Sequence, residues 1–148
     1  MELDIKKIKF LVSEIKESIE EIRKIAKIPE KEFWVDKRNI LAIEHLLLRV
    51  IEATSNICVH IAARKLKKGV ESPAECFELL GKEKLIPQKL SDRLRKMARF
   101  RNVLVHRYCE IDEKRVYQYA KENLATSNVA SYAPRSSDSV FFLSLIFA

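Results

Sequence analysis

The residues best suited to chemistry lie together in one stretch, Arg101-Asn102-Val103-Leu104-Val105-His106-Arg107-Tyr108. An imidazole gives and takes protons near neutral pH, and a guanidinium presents paired N–H groups that match the oxygens of a phosphate or carboxylate. Proton transfer at His106 and anion stabilisation at Arg101 are therefore the chemistry this segment can offer. Asn102 stands four residues before His106, the spacing that puts two side chains on one helix face, so its amide could orient the imidazole. Tyr108 has two readings, an amphipathic ring packed at a helix end or a polar group in a cleft. His45 and His60 lack comparable neighbours and are read as structural.

The element that must position these groups is a helix beginning after Pro87. Leu90, Leu94, Met97 and Leu104 form one apolar stripe on it, and Arg101 falls inside the stripe. Burying an unpaired charge costs on the order of several kcal/mol. Arg101 must therefore either pair with an acid of the second helix, Glu44 or Glu52, or line a wet cleft. Five residues on a regular helix turn two side chains about 140° apart, so Arg101 and His106 do not meet automatically. Three routes remain open: the helix ends or distorts between Val103 and Tyr108, the arginine reaches round, or two subunits share a site. The β-branched Val103 and Val105 mildly favour an early end.

Other helices must support this one. Ile8, Leu11, Val12, Ile15, Ile19, Ile22 and Ile25 recur at three- and four-residue steps, which predicts a first helix ending near Pro29. A longer second helix is expected from about Phe33 to Leu66, closed by Lys67, Lys68 and Gly69, with apolar residues on more than one side and hence a central position. Ser72, Pro73 and Glu75 place an N-cap, a first-turn proline and an acid at the start of a short third helix that Gly81 should end. Asp112 can cap a fifth helix carrying Val116, Ala120 and Leu124. The expected fold is all-α, an antiparallel up-and-down bundle of about five helices over residues 1–124. Residues 125–148 form a separate C-terminal tail that ends in a very apolar run, Val140 to Ala148.

Composition agrees with one helical domain. The 148 residues are 47% hydrophobic with only two glycines and four prolines, which leaves long helices uninterrupted. Arg64 to Arg107 holds 13 Lys and Arg against 5 Asp and Glu, while the rest of the chain holds 15 against 16. That local field attracts polyanions, nucleic acid being the commonest; solvated lysines are the bland alternative. Three widely spaced cysteines without a CxxC pair point to neither a disulfide framework nor a zinc site, and a reducing cytoplasm fits. No histidine–carboxylate cluster has ligand spacing, so a metal hydrolase is not expected. The first ten residues lack a signal-peptide core, and no run approaches the roughly 18 apolar residues of a membrane span.

Arg101 to Tyr108 resembles the R-x4-H motif of the HEPN superfamily, extended by the H-x-Tyr ending of HepT-like toxins. The order of helices is similar over roughly Met1 to Leu124, and Ile51-Glu52-Ala53 resembles the family's second-helix pattern; the apolar tail lies outside the resemblance. What it implies is an RNA endonuclease that needs no metal or other cofactor and acts as a homodimer with both motif helices facing one cleft. RNA brings its own nucleophile, the 2′-hydroxyl. His106 would move protons, Arg101 would hold the phosphate oxygens, Asn102 would orient them, and a 2′,3′-cyclic phosphate would result. The resemblance further implies a cognate minimal nucleotidyltransferase antitoxin that transfers AMP from ATP to Tyr108. The competing reading is a non-catalytic HEPN module holding a nucleotidyltransferase or nucleic acid, against which the presence of both Arg101 and His106 counts.

Overall fold

The computed structural model describes residues 2–124, so the apolar tail beginning at Ala125 lies outside the described residues. Six α-helices follow in order: α1 (Ile5–Ala26), α2 (Glu30–Val35), α3 (Arg38–Ile61), α4 (Pro73–Lys82), α5 (Gln88–His106) and α6 (Glu113–Tyr119). π-helical turns extend α3 over Ala62–Leu66 and α6 over Ala120–Leu124, and a 3-10 turn, Tyr108–Glu110, follows α5. No strand occurs among the described residues.

Helix α1 runs antiparallel to α3. The Asp4 backbone N–H donates to His60 Nε2 at 2.9 Å near one end, and Glu14 pairs with Arg49 at 2.7 Å farther along. Ile22 shares a core with Ile40 and Ile43 at the other end. His60 is thus structural, as expected, and burial first, then Lys7 and Arg64, push its imidazole below the ordinary 6.5 toward the neutral form that accepts this bond. One core joins α1, α3, α4 and the first half of α5 around Ile15, Ile57, Phe77 and Leu94. A second, around Phe33, Ile43, Leu47 and Tyr117, joins α1, α2, α3 and α6, with Phe100 and Leu104 of α5 packed against it.

The expected second helix is two. Asp36 adopts an extended backbone after α2, and its carboxylate accepts the Arg38 N–H at 3.0 Å to start α3 afresh. Asn39 Nδ2 donates to the Phe33 carbonyl, which closes the end of α2. Local side-chain bonds of Asp and Asn compete with the helix in this way, and an apolar pattern that runs through them hides the break. At the far end it is Lys67, not Gly69, that takes the left-handed conformation, with φ 54°. By length and composition Arg38–Leu66 could cross a membrane, contrary to the expectation that no run comes close; 61% of its most apolar window is buried, as in a core helix.

Two further expectations change. Cys58 of α3 and Cys76 of α4, read as unpaired, form a disulfide between buried side chains whose Cα atoms lie 6.2 Å apart; Cys109 is free and exposed. Their partnership comes from the packing of α4 on α3, which spacing along the chain does not encode. Gly81 does not end α4 but lies within it, because α5 passes so close that a Cβ there would sit 2.7 Å from Ser91 Oγ. The cap at Ser72 forms as expected, with Ser72 Oγ accepting the Glu75 N–H at 3.2 Å.

Ser91 is fully buried and its hydroxyl donates to the Phe77 carbonyl at 2.8 Å, so it cannot swing aside without losing that bond. Overpacking costs about 1–3 kcal/mol and exceeds the gain of up to about 1 kcal/mol in helix propensity. Gly81→Ala is therefore expected to lower the urea midpoint, whereas Gly69→Ala, with nothing within 4 Å of its added Cβ, should not. Equal midpoints in the two variants would mean that α4 and α5 part freely.

Candidate active site

Helix α5 changes character along its length. Leu90, Ser91, Leu94 and Ala98 are buried, but no residue after Ala98 is; Met97, Phe100, Val103 and Leu104 are half-buried, and Val105 is exposed. The expected apolar stripe is therefore sealed in its first half and partly open in its second. Arg101 lies in this open half.

Of the two acids considered for Arg101, the structure selects Glu52: Arg101 Nε donates to Glu52 Oε1 at 2.6 Å. The side chains are 31% and 46% exposed. A pair this accessible contributes no more than about 1 kcal/mol, so it orients the guanidinium more than it holds the fold. The bond occupies Nε alone among the five N–H donors, which leaves the terminal nitrogens without protein partners among the described residues. Glu44 lies instead toward Glu113 and Lys37, and burial first, then Glu113, pushes its carboxyl above the usual range. Separating Glu52 from Glu44 requires the crossing of α3 and α5, which the sequence does not specify.

His106 is the last residue of α5 and is exposed. Arg107 caps the helix by donating its N–H to the Val103 carbonyl at 3.0 Å, and its side chain pairs with Glu110 across the following turn. The helix thus ends inside the expected window, but one residue too late to redirect His106. The roughly 140° between Arg101 and His106 stands, and no hydrogen bond joins them among the described residues. Asn102, expected to orient the imidazole, is exposed and makes no such bond either. Tyr108 opens the 3-10 turn two residues beyond His106; its side chain is not among those described. Two shallow recesses, one lined by Gly81, Leu85 and Gln88 and the other by Val70, Glu75 and Leu79, are far along α4 and α5 from this end.

A family model described as "Ribonuclease HepT-like" matches residues 15–131. The chain belongs to the HepT-like ribonuclease family. It is 39% identical over 66 residues to the mRNA nuclease HepT of Shewanella oneidensis, a match that spans 45% of this chain and half the length of that relative. Among solved structures, it resembles a chain of a toxin–antitoxin complex with AMP-PNP, with a TM-score of 0.75 and 26% identity over 95% of this chain and 97% of that one. It also resembles a chain from the complex of the tri-AMPylated Shewanella oneidensis HEPN toxin with its MNT antitoxin, with a TM-score of 0.74 and 27% identity over 95% and 96%. The all-α HEPN-like fold read from the sequence is the fold found.

The exposure of the Arg101–Glu52 pair leads to a stability test. Arg101→Ala, Glu52→Ala and the double variant should each unfold in urea within about 1 kcal/mol of the parent, as for a half-exposed ion pair. A loss of several kcal/mol on removing either partner would instead mark the pair as a structural tie between α3 and α5.

Proposed function

We propose that this HepT-like chain is a metal-independent endoribonuclease, the toxin of a pair whose antitoxin is a minimal nucleotidyltransferase, acting in the cytoplasm. The observation that carries the reading is the state of Arg101. Its guanidinium is aimed by Glu52 with its terminal N–H groups unspent, five residues before an exposed histidine at the end of a family-specific motif.

The chemistry requires a proton acceptor for the 2′-hydroxyl and a cation for the negative oxygens of the phosphorane-like transition state. His106 takes the 2′ proton as that oxygen bonds to phosphorus. The P–O5′ bond breaks, the 5′-oxygen takes up a proton from solvent while His106 later gives its own back to solvent, and a 2′,3′-cyclic phosphate remains on the other fragment. Arg101 places bidentate N–H groups on the non-bridging oxygens, and Asn102 adds a polar contact to substrate or imidazole.

Because α5 stays regular to His106, one chain does not present both groups on one helix face. A homodimer with both α5 ends facing a common cleft would supply the third route, a site shared by two subunits, the arginine of one copy serving the histidine of the other. The half-buried Met97, Phe100, Val103 and Leu104 and the exposed Val105 offer apolar area for that contact.

Cleavage of single-stranded RNA by the purified protein should persist in excess EDTA and leave cyclic phosphate ends. His106→Ala and Arg101→Ala should each slow it by about a hundredfold or more without loss of helical signal. Strict dependence on added magnesium, or parent-like rates in both variants, would overturn the assignment. RNA binding without cleavage by the parent would favour a non-catalytic module.

Tyr108 is the proposed site of silencing. AMP attached two residues from His106 would place phosphate charge where the RNA backbone must dock and adenosine in its path. The phenolic oxygen attacks the α-phosphorus of ATP, pyrophosphate leaves and the phenol proton goes to solvent. Incubation with the cognate nucleotidyltransferase and ATP should add one or more AMP units at Tyr108, read by mass spectrometry, and abolish cleavage. Tyr108→Phe should remain active under the same treatment, and modification confined to other residues would sink this assignment.

A further inference from the structure

Counting back from His106 at about 100° per residue, Asn102, Arg99 and Arg95 all fall within about 40° of it, so the four side chains make one stripe on α5. The two arginines differ in their surroundings. Arg95 is one-third exposed, lies 4.0 Å from Asp92, and helps hold the Glu78 carboxyl below its usual range after the larger effect of Lys82. Arg99 is exposed and has no ion pair or hydrogen bond from its side chain among the described residues. Lys96, also exposed, flanks the stripe about 80° away. No acid occurs in α5 after Asp92, so the helix's own residues over its last three to four turns carry charge of one sign; the acids that face them are Asp92 and Glu78 near Arg95 and Glu52, which reaches Arg101 from α3.

The helix macrodipole does not account for Arg99, since its effect falls off within the last turn and Arg99 stands seven residues before the end. Nor does a counter-charge. We propose that Arg99, flanked by Lys96, is a phosphate-positioning residue that binds the RNA backbone beside the scissile linkage and lays the strand along α5 toward His106. The axial distance from Arg99 to His106 is about 10 Å, too far for both to serve one phosphate, so Arg99 engages a neighbouring one. This deepens the ribonuclease reading and rests on it only for the identity of the polyanion.

The test uses a single-stranded RNA oligonucleotide methylated at every 2′-oxygen, which cannot be cleaved by internal attack, and follows its affinity for the full chain across a range of salt concentrations. Arg99→Ala should weaken binding by about fivefold to tenfold near 0.1 M salt, the loss of one exposed charge-assisted contact. It should also reduce the slope of log affinity against log salt by about 0.7, as for one phosphate contact on a single strand. Arg99→Lys should restore the slope. Lys9→Ala, which removes an exposed lysine of α1, is the control for net charge. If Arg99→Ala behaves as Lys9→Ala does, or the parent fails to bind the probe, the inference is overturned. Arg99-dependent binding by a parent that fails to cleave ordinary RNA would leave it standing while removing the ribonuclease reading.

Discussion

The bundle is organised by what α3 can bury. Among the described residues it packs against α1, α2, α4, α5 and α6, and its residues divide between both cores, Val50, Ala53 and Ile57 in one and Ile40, Ile43 and Leu47 in the other. A helix apolar on several sides has to be covered on several sides, and α1, α4, α5 and α6 are the cover. Glu52 is half-exposed on this central helix, and it therefore meets α5 at a fixed height. The orientation of Arg101 follows from the same packing that closes the core.

A second constraint comes from α5 itself. Hydrogen bonds along the axis keep the helix regular to His106, so the azimuth of each side chain is set by residue number and cannot be adjusted locally. This puts Arg101 toward α3 and leaves His106 with Asn102 and Arg99 on another face. On the proposed reading, the regularity that separates the pair within one chain is met by a symmetric partner, in which the arginine of one copy would face the histidine of the other and the reverse.

Most of the bundle was legible in the sequence because amphipathic periodicity and capping chemistry are local. The first helix, the cap at Ser72 and the cap at Asp112 all appear where their residues call for them. The misses share one cause. The break at Asp36, the helical Gly81 and the disulfide of Cys58 with Cys76 depend on bonds or contacts that the apolar pattern does not carry. The site behaved in the same way. Arg101 announced itself as a charge on a core stripe, yet the choice of Glu52 over Glu44 needed the crossing of two helices.

On the proposed reading, a site on the open end of a helix suits a polymer better than a small substrate would. A small ligand needs a concave pocket to bury most of its surface, whereas His106 is exposed at the end of α5 and Arg101 is about one-third exposed. A polyphosphate strand spreads its contacts along a surface, and each cation that meets a phosphate adds to affinity by releasing counterions. Such recognition reads charge and backbone and carries little base information. Selectivity for particular RNA would then have to come from the cleft formed with a second copy, where strand shape and base stacking are constrained as they are not on one exposed helix.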